Sequence, residues 1–151
     1  MGDPVSYRRM LHLAQYNIAR ARASLNDPLL RDFVAAITRV NEAAEASPGF
    51  VWRLKDENGG SSSYVQAYDD ERMLVNLSVW ETMEALRAYT YSAPHLQILR
   101  RRAEWFEPHR GPSLVLWWIE PGHAPTVAEA DERLQHLAAN GPDDYAFTFK
   151  R

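Results

Sequence analysis

The sequence predicts an α+β domain in which a small sheet packs against helices, and three observations support this fold class. Residues 75–80 alternate apolar and polar side chains with a period of two, which indicates a strand with one buried face. Thr82 then offers a helix N-cap before a stretch with the helical period, so a strand leads directly into a helix. The 151 residues, 46% hydrophobic and 25% charged, are typical of one globular domain, which we place at residues 1–151.

The elements before residue 75 follow from the same two periods. Residues 12–19 alternate and predict the first strand. Asp27 is a good N-cap residue and Pro28 suits the first helical position, so we predict a helix from there to the helix-ending residues 47–49. The other strands predicted in this part are residues 50–54 and, as a short edge strand, residues 64–68.

The helix that follows Thr82 is expected to break near Pro94, which lacks a backbone donor. Ser92 is available to cap the second half, which we expect to end at about Phe106. Residues 113–119 are apolar on both faces, which predicts a strand that is central in the sheet or covered by a partner.

The C-terminal part begins with a capping box at residues 126–129, which predicts a helix that stops at residues 140–141. Residues 146–149 are a candidate last short strand. Before this helix the order is strand, helix, strand, strand, helix, strand. It predicts a ferredoxin-like βαββαβ sandwich with a C-terminal helical extension.

Composition excludes several function classes. The net charge of −3 provides no broad basic surface for nucleic acid. The chain has no cysteine, which excludes disulfides, thiolate nucleophiles and cysteine-ligated zinc and fits a cytoplasmic protein. No apolar run approaches the ~20 residues of a membrane span, and no signal-peptide pattern precedes the first strand, so we expect no membrane partner.

Five strings resemble the DUF3291 family: LAQYNIA at residues 13–19, SPGFVWRL at 47–54, VNLSVWE at 75–81, RRRAEWFE at 100–107 and LVLWW at 114–118. The resemblance covers nearly the whole chain. It implies membership of the dimeric α/β-barrel superfamily, similar to the antibiotic-biosynthesis monooxygenases, in which two ferredoxin-like protomers pair their sheets into one barrel. It therefore implies a homodimer, but no established activity.

Two polar residues lie on the apolar side of the predicted helix after Pro94. A helical wheel places His95, Leu99, Arg102 and Phe106 on one stripe. A buried guanidinium needs a carboxylate, a carbonyl or an anion beside it. One interpretation is a structural ion pair with His95 as a hydrogen-bonded core histidine. The other is a pocket in which His95 acts as a general base and Arg102 as an electrostatic anchor.

Three carboxamides add to the second interpretation, and the register of the strands decides their place. Asn17 and Asn76 lie on one face of their strands, and Asn41 lies on the apolar stripe of its helix. If that sheet face looks at the helices, the three residues converge with His95, Arg102, Trp52 and Trp80 on one cavity. If it looks across the dimer, the carboxamides line the barrel interior and His95 stands apart.

The resemblance also implies roles for single residues. Some oxygenases of the superfamily use an asparagine on the first strand, a tryptophan in the helix after the third strand and a histidine further along that helix. Asn17 matches the asparagine and His95 matches the histidine. Tyr89 occupies the position of the tryptophan. The segment from Trp80 to His95 is shorter than in haem-degrading members, so we expect no cofactor and no metal, with haem as the alternative.

These observations predict a small-molecule enzyme, either a cofactor-independent monooxygenase or an isomerase, that acts on an apolar or aromatic compound. The alternative is a noncatalytic small-ligand-binding or sensor module on the same fold. The candidate catalytic residues are His95 and Arg102, and the candidate ligand-binding residues are Asn17, Asn41, Trp52, Asn76, Trp80 and Tyr89.

Overall fold

A computed structural model describes residues 10–56 and 60–150 of the chain. Strands and helices follow one another in the predicted order: β1 (His12–Arg20), α1 (Arg31–Glu45), β2 (Phe50–Arg53), β3 (Met73–Trp80), α2 (Met83–Thr90), α3 (Ala93–Trp105), β4 (Leu114–Ile119) and α4 (Val127–Asn140), with 3₁₀ turns at Pro28–Leu30 and Ser62–Tyr64. Within the described ranges, no helix has the length and apolar character that a membrane crossing requires.

The four strands form one antiparallel sheet in the order β2-β3-β1-β4. The central strands β1 and β3 pair in a register that places Asn17 opposite Asn76. One crossover runs through α1 and the other through α2 and α3. The fold is therefore the predicted ferredoxin-like α+β sandwich, with α4 as its C-terminal extension.

Three helix starts are formed by the predicted caps. The side chains of Asp27, Thr82 and Thr126 each accept a hydrogen bond from a backbone N–H in the first turn of the helical segment that follows. The predicted break near Pro94 is also present, because α2 ends at Thr90 and α3 begins at Ala93. Ser92 occupies the N-cap position of α3, but its hydroxyl makes no capping hydrogen bond.

The predicted edge strand at residues 64–68 is wrong. Ser62–Tyr64 is a 3₁₀ turn and the following residues are irregular. The Ser61 side chain accepts a hydrogen bond from the Ser63 N–H, which is the local bonding by which serine competes with strand pairing.

At residues 146–149 the expected strand is reduced to one bridge, in which the N–H groups of Leu116 and Phe147 donate to each other's carbonyl oxygens at 2.8 and 3.0 Å.

The C-terminal helix α4 packs on one face of the sheet. Leu134 and Leu137 of α4 pack in one buried cluster with Tyr16, Leu77 and Trp117. The strand order places β4, which is apolar on both faces, at the edge of the sheet rather than in its centre. The helix that covers β4 on this face belongs to the same chain. The observation that suggested a partner subunit is accounted for within the protomer.

A polar network fastens α4 to this face. The Tyr16 and Tyr68 hydroxyl groups lie 2.6 Å apart, and the Tyr68 hydroxyl donates to Asp131 Oδ1 at 2.9 Å. Tyr16 is fully buried, and this burial raises its pKa to about 12. Both phenols thus stay protonated and act as structural donors across the interface between sheet and helix.

Candidate functional site

Polar side chains interrupt the apolar surface on the other face of the sheet, which looks at α1, α2 and α3. Leu13 and Trp80 on this face pack in a cluster with Ala44 of α1 and Leu86 of α2. Since side chains alternate along a strand, the polar residues at even steps from them share the same face; they are Gln15, Asn17, Asn76 and Ser78. This face therefore looks at the helices, which is the orientation that the first of the two alternatives requires.

These side chains form a continuous hydrogen-bond relay. The Trp80 indole Nε1 donates to Ser78 Oγ at 3.0 Å, and Ser78 Oγ donates to Gln15 Oε1 at 2.7 Å. Gln15 Nε2 then donates to Asn17 Oδ1 at 2.6 Å. Gln15 and Ser78 are each 6% exposed, whereas Asn17 is half-buried and lies at the accessible end of the relay.

The two asparagines at this end keep unused hydrogen-bonding groups. Asn17 and Asn76 are direct cross-strand partners, and both are half-buried. Among residues 10–56 and 60–150, Asn17 Nδ2 and the Asn76 carboxamide form no hydrogen bond. Both residues are partly exposed and their free groups are not among the buried unpaired atoms of the described residues, so a ligand can reach them.

An aromatic ladder connects the sheet to α3. The Trp80 ring stacks on Tyr89 of α2 with centroids 5.2 Å apart and an angle of 25°. Tyr89 in turn contacts the His95 ring, with centroids at 5.1 Å. The Tyr89 hydroxyl donates to the Val40 carbonyl at 3.3 Å, and burial raises the pKa of this phenol to about 12. The ladder thus places His95 two rings away from the start of the relay.

His95 is held in one tautomer. Its Nδ1 lies 2.9 Å from the Thr90 carbonyl oxygen, which can only accept, so Nδ1 carries the proton. Burial lowers the pKa of His95, against a smaller opposing effect of the Thr90 hydrogen bond. Nε2 therefore holds a free lone pair, and it makes no hydrogen bond within the part of the chain that the structure describes. A neutral imidazole of this kind suits a general base.

The lowered pKa of His95 gives a stability prediction. Above its ordinary pKa of 6.5 the ring is neutral in both states, so it makes no pH-dependent contribution. As the pH falls below that value, the unfolded chain takes up the proton first. The free energy of unfolding therefore decreases until the pH reaches the lower pKa of the folded state. We expect His95→Gln to lose less unfolding free energy than the wild type between about pH 7.5 and 5.5 in urea titrations. The exposed His109, changed to Gln, is the control and should follow the wild type; equal pH dependence of all three proteins would contradict the assignment.

The predicted burial of Arg102 is wrong. Arg102 is exposed, and the buried residue of this part of α3 is Trp105. Phe106, which helped to define the predicted stripe, is the extended C-cap residue and does not continue the helix. The helix instead turns Ile98 and Trp105 toward Phe33 of α1. The helical phase was therefore set by a residue that lies outside the helix.

Trp52 also lies apart from the other candidates. Phe50 pairs with Trp80, but Trp52 pairs with Val79, because the register shifts between the two residues of β2. This irregularity turns Trp52 to the opposite face, where it packs against the α4-covered cluster. Asn41 is half-buried on α1 between the buried residues Ile37 and Ala44. Its side chain makes no hydrogen bond with any residue that the structure describes.

Gln15 and Ser78 are the residues of this site that the sequence analysis did not assign. Their signal was a second polar position at a spacing of two beside Asn17 and Asn76 on each central strand. The structure adds that both are buried and hydrogen-bonded to each other. Among the described residues, no group of three or more His, Asp or Glu side chains could hold a metal ion.

An open cleft of about 370 Å³ lies elsewhere, between α1 and α3. Most of its polar groups already have partners, since Arg101 lies 3.0 Å from Asp32 and Arg39 donates to Gln97 at 3.3 Å. Neither the asparagines nor His95 line this cleft. Apart from this cleft, the structure brings Trp80, Tyr89 and His95 into contact and pairs Asn17 with Asn76 on the facing strands.

Comparison with known proteins identifies related folds. The protein SO0527 from Shewanella oneidensis aligns with a TM-score of 0.50 at 7% identity, over 73% of this chain and 92% of that one. A putative antibiotic biosynthesis monooxygenase from Nitrosomonas europaea aligns at 0.49 and 16% identity (78% and 95% of the two chains). SnoaB, a cofactor-independent oxygenase from Streptomyces nogalater, aligns at 0.46 and 14% (76% and 96%).

No curated protein sequence matches the chain. The sequence profile described as "Domain of unknown function (DUF3291)" matches residues 12–151. That range includes all the strands and helices that the structure describes and all candidate site residues. The chain therefore belongs to the DUF3291 family.

Proposed function

We propose that the chain is a small-molecule enzyme whose substrate binds between the sheet and helices α2 and α3. The observation that carries the proposal is His95, a neutral histidine in a fixed tautomer with an unused Nε2. On the facing strands, Asn17 and Asn76 keep unused hydrogen-bonding groups. A substrate that reaches both groups would meet a base and amide donors, a combination that suits proton abstraction from an apolar or aromatic compound.

The reaction starts with a proton transfer. His95 Nε2 removes a proton from an acidic C–H or O–H group, and asparagine N–H groups stabilise the negative charge that develops on a neighbouring oxygen. In an isomerase, the histidine returns this proton to another atom of the substrate. In a monooxygenase, the carbanion reacts with O₂, one oxygen atom enters the substrate and the other leaves as water, and the substrate supplies the four electrons. Both outcomes share the first step and need no bound cofactor.

Because the chain resembles dimeric α/β barrels, the proposal includes a homodimer. Because α4 covers the sheet face that carries Tyr16 and Trp117, a second protomer would contact another surface. Arg102, which is exposed, has no role in this version of the site. Tyr89 and Trp80 form the aromatic wall, and Asn41 on α1 is the further candidate for ligand contact.

The shared first step is tested with 2-indanone, an aromatic ketone with acidic C–H bonds. We expect the protein to accelerate deuterium incorporation from D₂O into this probe, and His95→Gln to reduce the rate by about 10²-fold or more. The melting temperature should change little, because the Tyr89 contact tolerates a planar amide of similar size. Mass spectrometry measures the exchange, an oxygen electrode measures any O₂ uptake, and the absorbance spectrum reports bound haem.

His109→Gln is the control and should exchange like the wild type, since His109 is exposed. Binding of aromatic ketones without exchange or O₂ uptake would favour the noncatalytic ligand-binding module. Exchange that survives in His95→Gln would remove the histidine from the proposal.

A further inference from the structure

We infer that the relay from Trp80 to Asn17 fixes the Asn17 carboxamide with its NH₂ group toward the ligand, so that the site selects a carbonyl or phenolic oxygen as hydrogen-bond acceptor. This inference rests on the proposed function and deepens it, because it assigns a ligand class and makes Gln15 and Ser78 positioning residues. Neither side chain is placed to contact the ligand itself, since both are 6% exposed.

The direction of the relay follows from its first member. An indole N–H can only donate, so Ser78 Oγ accepts from Trp80 Nε1. Its own proton then has Gln15 Oε1 as acceptor at 2.7 Å. This leaves the Gln15 NH₂ group to donate to Asn17 Oδ1, and Asn17 Nδ2 as the end of the relay.

The reversed direction is unfavourable for a specific reason. If Gln15 donated to Ser78, the buried Ser78 oxygen would accept twice and its own proton would lack an acceptor. A buried donor without a partner costs more than an average hydrogen bond contributes. The relay therefore selects one of the two orientations of each carboxamide, and the accessible group at its end is a donor.

Three probes of similar shape test the ligand class: 2-indanone offers only an acceptor, indole only an N–H donor, and indane neither. Dissociation constants come from NMR titrations that follow the Trp80 indole N–H signal. We expect wild-type protein to bind 2-indanone about fivefold or more tightly than indole or indane, the worth of about one hydrogen bond. Ser78→Ala should abolish this preference. Ser62→Ala is the matched control: Ser62 is also buried, but it donates to the Val75 carbonyl outside the relay.

Gln15→Glu gives a result that a purely structural role would not produce. A carboxylate only accepts, so Asn17 must turn and donate to it, which presents Asn17 Oδ1 to the ligand. The preference should then invert toward indole at high pH and return to 2-indanone when the new carboxyl is protonated. Unchanged preference in Gln15→Glu and Ser78→Ala, with both variants folded, would overturn the inference.

A measurement without ligand separates this inference from the proposed function. Solvent exchange of side-chain NH₂ protons should be slow for Gln15, which donates to Asn17, and fast for Asn17. Slow exchange of the Asn17 NH₂ protons would overturn the inference whatever the probes do, because the reversed relay has Asn17 donating to Gln15. If the exchange rates are as expected but none of the three probes binds, the proposed function and the ligand class are both wrong. The orientation of Asn17 would still stand in that case.

Discussion

Replacing Trp117 by alanine is expected to lower the free energy of unfolding by about 3–5 kcal/mol, the usual cost of removing a large buried aromatic side chain. Trp117 is fully buried in the cluster that α4 forms with the sheet. Its indole Nε1 also donates to Glu129 Oε2 at 3.0 Å in the first turn of α4. The substitution therefore removes both apolar contact and one of the hydrogen bonds that hold the helix on the sheet. Urea unfolding followed by circular dichroism measures the loss.

The neighbouring tryptophan provides the control for this experiment. Trp118 points to the other face of β4, is half-buried and lies 6.0 Å from the Phe147 ring. Trp118→Ala removes the same atoms from a more accessible position, so we expect a clearly smaller loss of stability. Equal losses in the two variants would contradict the packing of α4 on this face, and would reopen it as a surface for a partner.

Gly49→Ala is expected to destabilise the protein by about 2–4 kcal/mol, through backbone strain and overpacking together. Gly49 has φ +82°, a region that L residues with a side chain rarely adopt. A Cβ atom at this position would lie 2.5 Å from the Ala85 Cβ of α2. The Gly49 carbonyl also accepts the Glu81 N–H at 2.7 Å, directly after Trp80. The close approach thus belongs to the contact that positions α2 and its Tyr89.

Two further variants separate the two causes. Gly141 has φ +76° and ψ 176° but no atom within 4 Å of an added Cβ, so Gly141→Ala should show the backbone strain alone, about 1–3 kcal/mol. In the Gly49→Ala background, Ala85→Gly should recover the packing part of the loss, less the cost of a glycine within a helix. Thermal unfolding of the four proteins measures these differences. A Gly49→Ala loss no larger than that of Gly141→Ala would show that α2 relaxes away from the turn.

Local signals made most of the fold predictable. The caps at Asp27, Thr82 and Thr126 and the break near Pro94 each depend on residues a few positions apart, and the helices begin and break where those residues predict. The prediction failed at residues 64–68, where serine side chains provide bonds that a strand pattern does not reveal. It failed again for Arg102, because a wheel that includes the extended residue Phe106 has the wrong phase.

The sequence by itself determined the order of the elements, the polar positions on the central strands and the presence of His95 beside an apolar helix face, because these follow from periodicity and local capping. Tertiary structure alone decided which face of the sheet meets the helices, that Trp52 turns away from Asn17, and that α4 covers β4. It also decided the direction of the relay, which depends on hydrogen bonds between strands far apart in sequence. The physical reason is that a sequence period of two shows only that side chains alternate between the two faces of a strand. Which of the two faces is buried, and which helix covers it, is determined by the packed core.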